Sequence, residues 1–212
     1  MVAARPHNEE ELQKREAIGV IRASRFVRTY AKSKNPINIG TIYQIHKEIF
    51  DHAWPEIAGV LRIENLEITD SHHKPPHFTE VPAFMESVDN KFVEKLEHLK
   101  SIRSLKFTGN RSNEEMNMLE NIVNTTAWIH HQITHIHPFR DGNGRTARLV
   151  ANLVLERYGL VGISIKFEKE NKNKYRQALQ QIDKINDYEP LMEIIYEGLI
   201  DRYNGADLKL IE

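Results

Sequence analysis

Apolar residues recur at helical spacing through most of this chain. From Glu9 to Tyr30 the apolar positions Leu12, Ile18, Ile21 and Val27 predict a first helix, which Asn35-Pro36 breaks. Ile42, Ile45, Ile49 and Phe50 predict a second from about Ile39 to His52. The pattern then changes. Leu61 and Ile63, then Leu66 and Ile68, alternate with polar residues around Glu64-Asn65, which predicts a short β-hairpin over Leu61 to Asp70. Its turn lacks a strong glycine type, and a lone hairpin needs helices to pack on.

Helical spacing returns after Lys74-Pro75-Pro76. Val81-Pro82 leads into a helix whose Phe84, Met85, Val88, Phe92, Val93 and Leu96 are spaced for one face. Ser112-Asn113-Glu114-Glu115 reads as a capping box. The helix after it carries Leu119, Ile122, Val123, Ile129 and Ile133 and stops near Pro138. Gly144 to Tyr158 predicts another, with Ala147, Val150, Leu153 and Val154 inward and Gly159 as its stop. Two more follow, Lys172 to Asp183 and Glu189 to Tyr203, the latter with Leu191, Ile194, Ile195, Leu199 and Ile200 apolar. The fold class is mostly α with one small hairpin.

Composition narrows this picture only a little. The chain has 212 residues, room for one domain with a small appendage. A formal net charge of −1 gives no global electrostatic case for nucleic acid or membrane. No apolar run approaches the roughly 18 residues a membrane span needs. Met1 to Glu16 is polar and charged, so no secretory signal is expected there. The absence of cysteine excludes disulfides, thiolate nucleophiles and cysteine-ligated zinc, and fits a cytoplasmic protein.

Candidate chemistry gathers in His137 to Arg148, His-Pro-Phe-Arg-Asp-Gly-Asn-Gly-Arg-Thr-Ala-Arg. A loop turns into a helix at Gly142-Asn143-Gly144. Helix N-termini offer unpaired N–H groups and the positive dipole end, and glycine lets a phosphate approach the backbone. Taken alone, this is also an ordinary Asp-Gly turn. Arg145 and Arg148, three apart, share a helix face just below, and guanidinium groups suit phosphate oxygens. They could equally be surface ion-pair formers. Asp141 could hold Mg2+ against phosphates or serve as a helix cap. His137, with an ordinary pKa near 6.5, could take a proton from a hydroxyl. Phe139 reads as an inward anchor.

This segment resembles the signature of the Fic family, His-x-Phe-x-Asp/Glu-Gly-Asn-Gly-Arg-x-x-Arg, at every specified position. Gly59 to Arg62, Pro75-Pro76 and Val81-Pro82 are similar to the family's flap and the segment after it. Tyr175 to Leu179 and Pro190-Leu191 extend the likeness, so it covers about Asn8 to Tyr203. The resemblance implies a Fic-type helical bundle with a hairpin flap over 8–203, between flexible ends at 1–7 and 204–212. It implies transfer of AMP from ATP to a Ser, Thr or Tyr hydroxyl of a target protein, or of the chain itself, with release of pyrophosphate. His137 would be the general base and Asp141 the Mg2+ ligand. Gly142, Asn143 and Gly144 would form the anion hole, and Arg145 and Arg148 would hold phosphates. The flap residues Leu61, Arg62, Ile63, Leu66 and Ile68 would dock an extended target segment by edge pairing.

Many family members carry an inhibitory Ser/Thr-x-x-x-Glu-Gly/Asn helix whose glutamate pairs with the second motif arginine. No clean copy stands here. Ser164 to Glu168 has the spacing but continues with Lys169. Glu197-Gly198 has the ending, with Glu193 where Ser or Thr is expected, which leaves Glu197 a minor candidate for a brake on Arg148. A separate antitoxin-like inhibitor protein is the partner this implies, and self-association is compatible with the sequence.

Other readings are weaker. His131 and His135 have helical i, i+4 spacing, but Gln132 stands where zincin chemistry wants glutamate. His72, His73 and His77 read as solvated loop residues. Retention of Gly-Asn-Gly favours AMP transfer over the family's kinase-like chemistry. Removal of AMP from a modified protein and a catalytically silent helical module are the alternatives.

Overall fold

The computed structural model describes residues 5–68, 73–102, 112–164 and 169–204. Seven α-helices make up the described chain: α1 Glu9–Lys32, α2 Ile39–Phe50, α3 Val81–Ile102, α4 Asn113–Ile136, α5 Asn143–Arg157, α6 Lys169–Ile185 and α7 Glu189–Asn204. Single 3-10 turns sit at Pro55–Ile57 and Phe78–Glu80. Among the described residues no helix is long and apolar enough to cross a membrane.

The helix starts follow local chemistry. Asn8 caps α1 by accepting from the Glu10 N–H at 2.8 Å. Asn38 and Thr41 cap α2 reciprocally, so two otherwise orphaned N–H groups are satisfied. Ser112 accepts from the Glu115 N–H at 3.2 Å at the start of α4. α5 stops where Gly159 takes φ +86°, a left-handed conformation that suits glycine.

α4 and α5 form the centre. α1 and α2 pack together, α1 and α2 both lie against α5, α3 lies against α4, and α6 and α7 pair beside α4. The fully buried set includes Phe50, Phe92, Ile122, Ile129, Ile133 and Phe139.

The inward face of α1 is not simply its set of apolar positions. Leu12 and Val27 are buried, but Ile18 and Ile21 are 64% and 55% exposed. Gly19, Ala23 and Ala31 are the residues that turn inward with them. The reason is close approach: a Cβ on Gly19 would lie 1.9 Å from the Ile49 carbonyl oxygen. Small residues therefore bring α1 onto α2, and hydrophobicity alone points to the wrong stripe. In α3, Met85, Val88, Phe92 and Leu96 are buried as expected, while Phe84 and Val93 face out.

The predicted hairpin is not formed within the described residues. Residues 61–68 carry no strand, and the remainder of the predicted hairpin lies outside the described residues. Arg62 explains the difference. Its backbone N–H donates to the Pro138 carbonyl at 2.9 Å, and its buried side chain binds other carbonyls. The segment is thus tied to the end of α4 instead of to a partner strand.

Candidate active site

α4 ends in a left-handed residue. His137 has φ 52° and ψ 56°, and its N–H donates to the Ile133 carbonyl at 3.1 Å. That conformation costs a non-glycine residue about 1–2 kcal/mol. Arg62 helps hold it. The guanidinium donates to the carbonyls of His137 at 2.8 Å, Glu64 at 2.9 Å, Pro76 at 2.6 Å and, more weakly, Ile136 at 3.4 Å. A cation on the last carbonyls of α4 also suits the negative end of its dipole. Arg62, expected in a target-docking role, is instead buried in the scaffold. Its neighbours Ile63 and Glu67 are exposed, while Leu61, Leu66 and Ile68 are partly covered.

The His137 ring is oriented by its own helix. Nδ1 lies 3.2 Å from the Thr134 carbonyl, which can only accept, so Nδ1 carries the proton and Nε2 keeps its lone pair. Burial lowers the pKa of His137 and outweighs the raising effect of the Thr134 bond. The ring is neutral at pH 7, the state a proton acceptor needs.

The loop from Pro138 to Gly142 is closed by two residues, Asn143, whose side chain takes a role beyond the anion hole expected of it, and His46, which lies outside the motif. Asn143 is buried, and its side chain accepts from the Phe139 N–H at 2.9 Å while donating to the Phe139 carbonyl at 2.7 Å. Its amide side chain is spent on the loop, so only its backbone N–H remains to meet an anion. His46, on α2, is the second. Nδ1 accepts from the Gly59 N–H at 2.9 Å, so Nε2 bears the proton and donates to the Asp141 carbonyl at 3.0 Å. The ring stacks on Phe139 at 3.8 Å. Burial lowers its pKa to about 4, which keeps it neutral.

Gly142, at φ +74°, makes the turn into α5. A Cβ there would lie 2.3 Å from the Phe50 ring. Thr146 N–H donates to the Gly142 carbonyl, the first bond of α5. The preceding N–H groups, from Asn143 to Arg145, have no helical partner and point at the start of the helix.

The motif charges sit around this terminus. Asp141 Oδ1 accepts from the Gly142 N–H and lies 3.2 Å from Arg145 Nη2. Arg145 Nη1 lies 2.6 Å from Glu16 on α1. Glu16 follows the inward face of that helix, a placement 129 residues away in sequence that helical periodicity does not signal. Arg148 is largely covered by its surroundings and sits near Tyr175 of α6. His137, Asp141, Gly142, Gly144, Arg145 and Arg148 all line one cavity of about 340 Å3, whose far wall is α6. Glu197 makes its ion pair with Lys174, at 2.6 Å, on an exposed side chain and lines a different cavity. Glu168, the end of the other inhibitory-type match, lies outside the described residues.

The four histidines of the last turns of α4 and its end, His130, His131, His135 and His137, have different partners. His130 shares a hydrogen bond with the Tyr175 hydroxyl at 2.7 Å, and His137 bonds Thr134. His131 and His135 both meet Asp183.

Comparison with known proteins places this geometry. The model of the Fic/DOC family matches residues 36–155. A protein adenylyltransferase Fic from Nematostella vectensis is 30% identical over 196 residues, 91% of this chain and 40% of that protein. The chain thus spans about two fifths of that relative's length. Fic-1 from C. elegans (residues 134–508) superposes with a TM-score of 0.69 at 23% identity, covering 95% of this chain and 53% of that one. The N-terminal Fic domain of a cell filamentation protein from Bartonella quintana, solved with bound ADP, gives 0.65 at 18% identity, covering 91% and 86%.

Proposed function

The chain belongs to the Fic/DOC family, and from that premise we propose that it is a protein adenylyltransferase acting on Ser, Thr or Tyr hydroxyls. The observation that carries the reading is a neutral His137, its lone-pair nitrogen fixed by Thr134, in one cavity with a helix N-terminus and two arginines. The curated relative from Nematostella vectensis is named a protein adenylyltransferase, and the Bartonella quintana domain holds ADP, which agrees with a nucleotide in this cavity.

The chemistry divides among named groups. His137 Nε2 takes the proton of the target hydroxyl as its oxygen bonds to the α-phosphorus of ATP. The bond to the oxygen bridging toward the β-phosphate breaks, and pyrophosphate leaves. The amides of Asn143, Gly144 and Arg145 and the guanidinium of Arg148 face the charge that develops. Preorganised donors of this kind supply most of the catalysis in transfers at phosphorus. Arg145 joins them once it exchanges Glu16 for phosphate oxygens.

Asp141 fits a divalent cation. Its half-exposed carboxylate has Oδ1 engaged by Gly142 and Arg145 and leaves Oδ2, and Mg2+ is commonly held by one or two carboxylates together with substrate phosphates. When bound there, the ion would neutralise phosphate charge. Of the flap residues, Ile63 is exposed for a target to meet, and Leu61, Leu66 and Ile68 are partly so.

Intact mass after incubation with ATP, Mg2+ and candidate targets tests the proposal. The parent adds one AMP unit, and His137→Ala adds none while keeping its helical circular dichroism. Equal labelling by parent and His137→Ala would overturn the assignment of the base, and addition of a phosphate instead would overturn AMP transfer.

A further inference from the structure

Three helices meet behind the phosphate-facing wall of the cavity, and each contributes one polar side chain. His130 of α4 is fully buried, and its Nε2 lies 2.7 Å from the Tyr175 hydroxyl of α6. The two rings cross edge to face, with centroids 5.7 Å apart at 86°. Tyr175 is buried too, yet it lines the cavity together with Arg148 of α5. A Cβ built on Gly144 would lie 3.4 Å from Arg148 Nη1 and 4.0 Å from Nη2, so the guanidinium folds back over the first turn of α5. Arg148 thus sits between that turn and Tyr175.

The protonation states give the contact a direction. Burial, and then the charge of Arg148, lower the pKa of His130 to about 3, so the ring is neutral. Burial pushes the Tyr175 hydroxyl up to about 12 against the opposing pull of Arg148, so the phenol keeps its proton. Turned away from the Arg148 cation, that proton points to His130 Nε2, which accepts it. The phenol oxygen then presents its lone pairs toward the guanidinium. Burial lowers the pKa of Arg148, while Tyr175 works the other way and favours the charged form. A neutral oxygen orients a cation without cancelling its charge, whereas Glu16 meets Arg145 with a full negative charge. Phenylalanine would fill the same space as Tyr175, so packing alone does not call for a hydroxyl and an imidazole buried side by side.

We propose that the Tyr175 hydroxyl, held by His130, is the positioning group that fixes Arg148 over the first turn of α5, so that the guanidinium meets nucleotide phosphates already oriented. This role rests on the reading of the cavity as an ATP site. A long arginine side chain loses rotamer freedom when it engages a ligand, and one held in place beforehand avoids that loss. Neither His130 nor Tyr175 needs to touch the phosphates; both act through Arg148.

The test measures binding to the full chain of an ATP analogue with a methylene bridge between its α- and β-phosphates, by calorimetry up to millimolar analogue. Tyr175→Phe keeps the ring and removes the oxygen. It is expected to weaken binding about tenfold, within the range of coupling between members of one network. A double-mutant cycle separates positioning from packing: in an Arg148→Ala background, Tyr175→Phe has no further effect, because no guanidinium is left to hold. His130→Gln keeps an acceptor at the reach of Nε2 and binds within about twofold of the parent, whereas His130→Leu matches Tyr175→Phe. Thermal melting sets a temperature at which the variants compared are folded. Unchanged binding by Tyr175→Phe, or a loss that persists in full without Arg148, would overturn the positioning role and leave a packing pair. No binding of the analogue by the parent would overturn the ATP site itself, and the positioning role with it.

Discussion

Replacing Arg62 by Met separates the scaffold role found for this residue from a docking role. Met keeps an apolar stem of similar reach and removes the donor fork. Three good bonds are lost, to His137, Glu64 and Pro76 at 2.8, 2.9 and 2.6 Å, with a weaker one to Ile136. Hydrogen bonds from a charged donor contribute about 1.5–3 kcal/mol each, and an orphaned carbonyl costs about 1–3. These are not additive, and water enters part of the gap, so about 3–5 kcal/mol is the expected loss. That is a large share of the roughly 5–15 kcal/mol stability of a domain. A chain this size loses about 2–4 °C per kcal/mol, so the melting temperature falls by about 6–20 °C. Arg62→Lys keeps the charge but cannot fork toward several carbonyls, and falls between the two. The assay pairs thermal melting with AMP transfer at a temperature where all variants remain folded. Transfer falls in the Met variant as well, because His137 loses its backbone anchor. A melting temperature within about 2 °C of the parent, together with weakened target binding, would refute the scaffold argument and restore Arg62 to the docking surface.

Glu16→Gln frees Arg145 for phosphate, and ATP should bind about fivefold tighter by calorimetry, roughly the 1 kcal/mol of a partly exposed ion pair; unchanged or weaker binding counts against Glu16 as a competitor. The pH dependence of stability follows from His46. Its folded pKa of about 4 lies below the unfolded 6.5, so the unfolded chain binds more protons between them. Stability is full above pH 6.5 and declines as pH falls toward 4, by about 3 kcal/mol at the end. His46→Gln flattens that part of the melting profile, and an unaltered slope in the variant contradicts the assignment. The lowered pKa of His137 predicts that the acid limb of the transfer rate is centred below the ordinary histidine value of 6.5; a limb centred at or above pH 7 would contradict a neutral base. Gly142→Ala combines a left-handed φ with a Cβ 2.3 Å from Phe50. About 1–2 kcal/mol of backbone strain and 1–3 of overpacking add up to about 2–5 kcal/mol of destabilisation and weaker nucleotide binding; parental stability and affinity would show that the ring yields freely.

How far the sequence carried the reading depended on distance along the chain. The helices were legible because their periodicity and caps are local: Ser112 starts α4 and Gly159 stops α5 where expected. The motif could be read as one segment because its turn and helix start are contiguous. Residues that meet it from afar were not legible. Glu16 and His46 reach it across 129 and 95 residues, and neither periodicity nor motif spacing reports such a meeting. The buried face of α1 was not legible because close approach rewards Gly19 and Ala23, which a hydrophobic count ignores. Alternation around Glu64-Asn65 gave a hairpin because it cannot reveal that Arg62 is buried among carbonyls. His73 was placed in solvent for the same reason: its partners, the His135 carbonyl and Asp183, come from two distant helices.

The long reach of these contacts also sets when the site comes into being. The contacts to His137, Asp141 and Arg145 span 75, 95 and 129 residues. Contacts so far apart in sequence carry a high loop-closure entropy and tend to form late in folding. The loop before α5 can acquire its shape only once α1 and α2 have docked from the other end of the chain. Nucleotide affinity should therefore emerge in the same kinetic phase as native packing. A chain halted before that step would hold the complete motif and still leave ATP untouched.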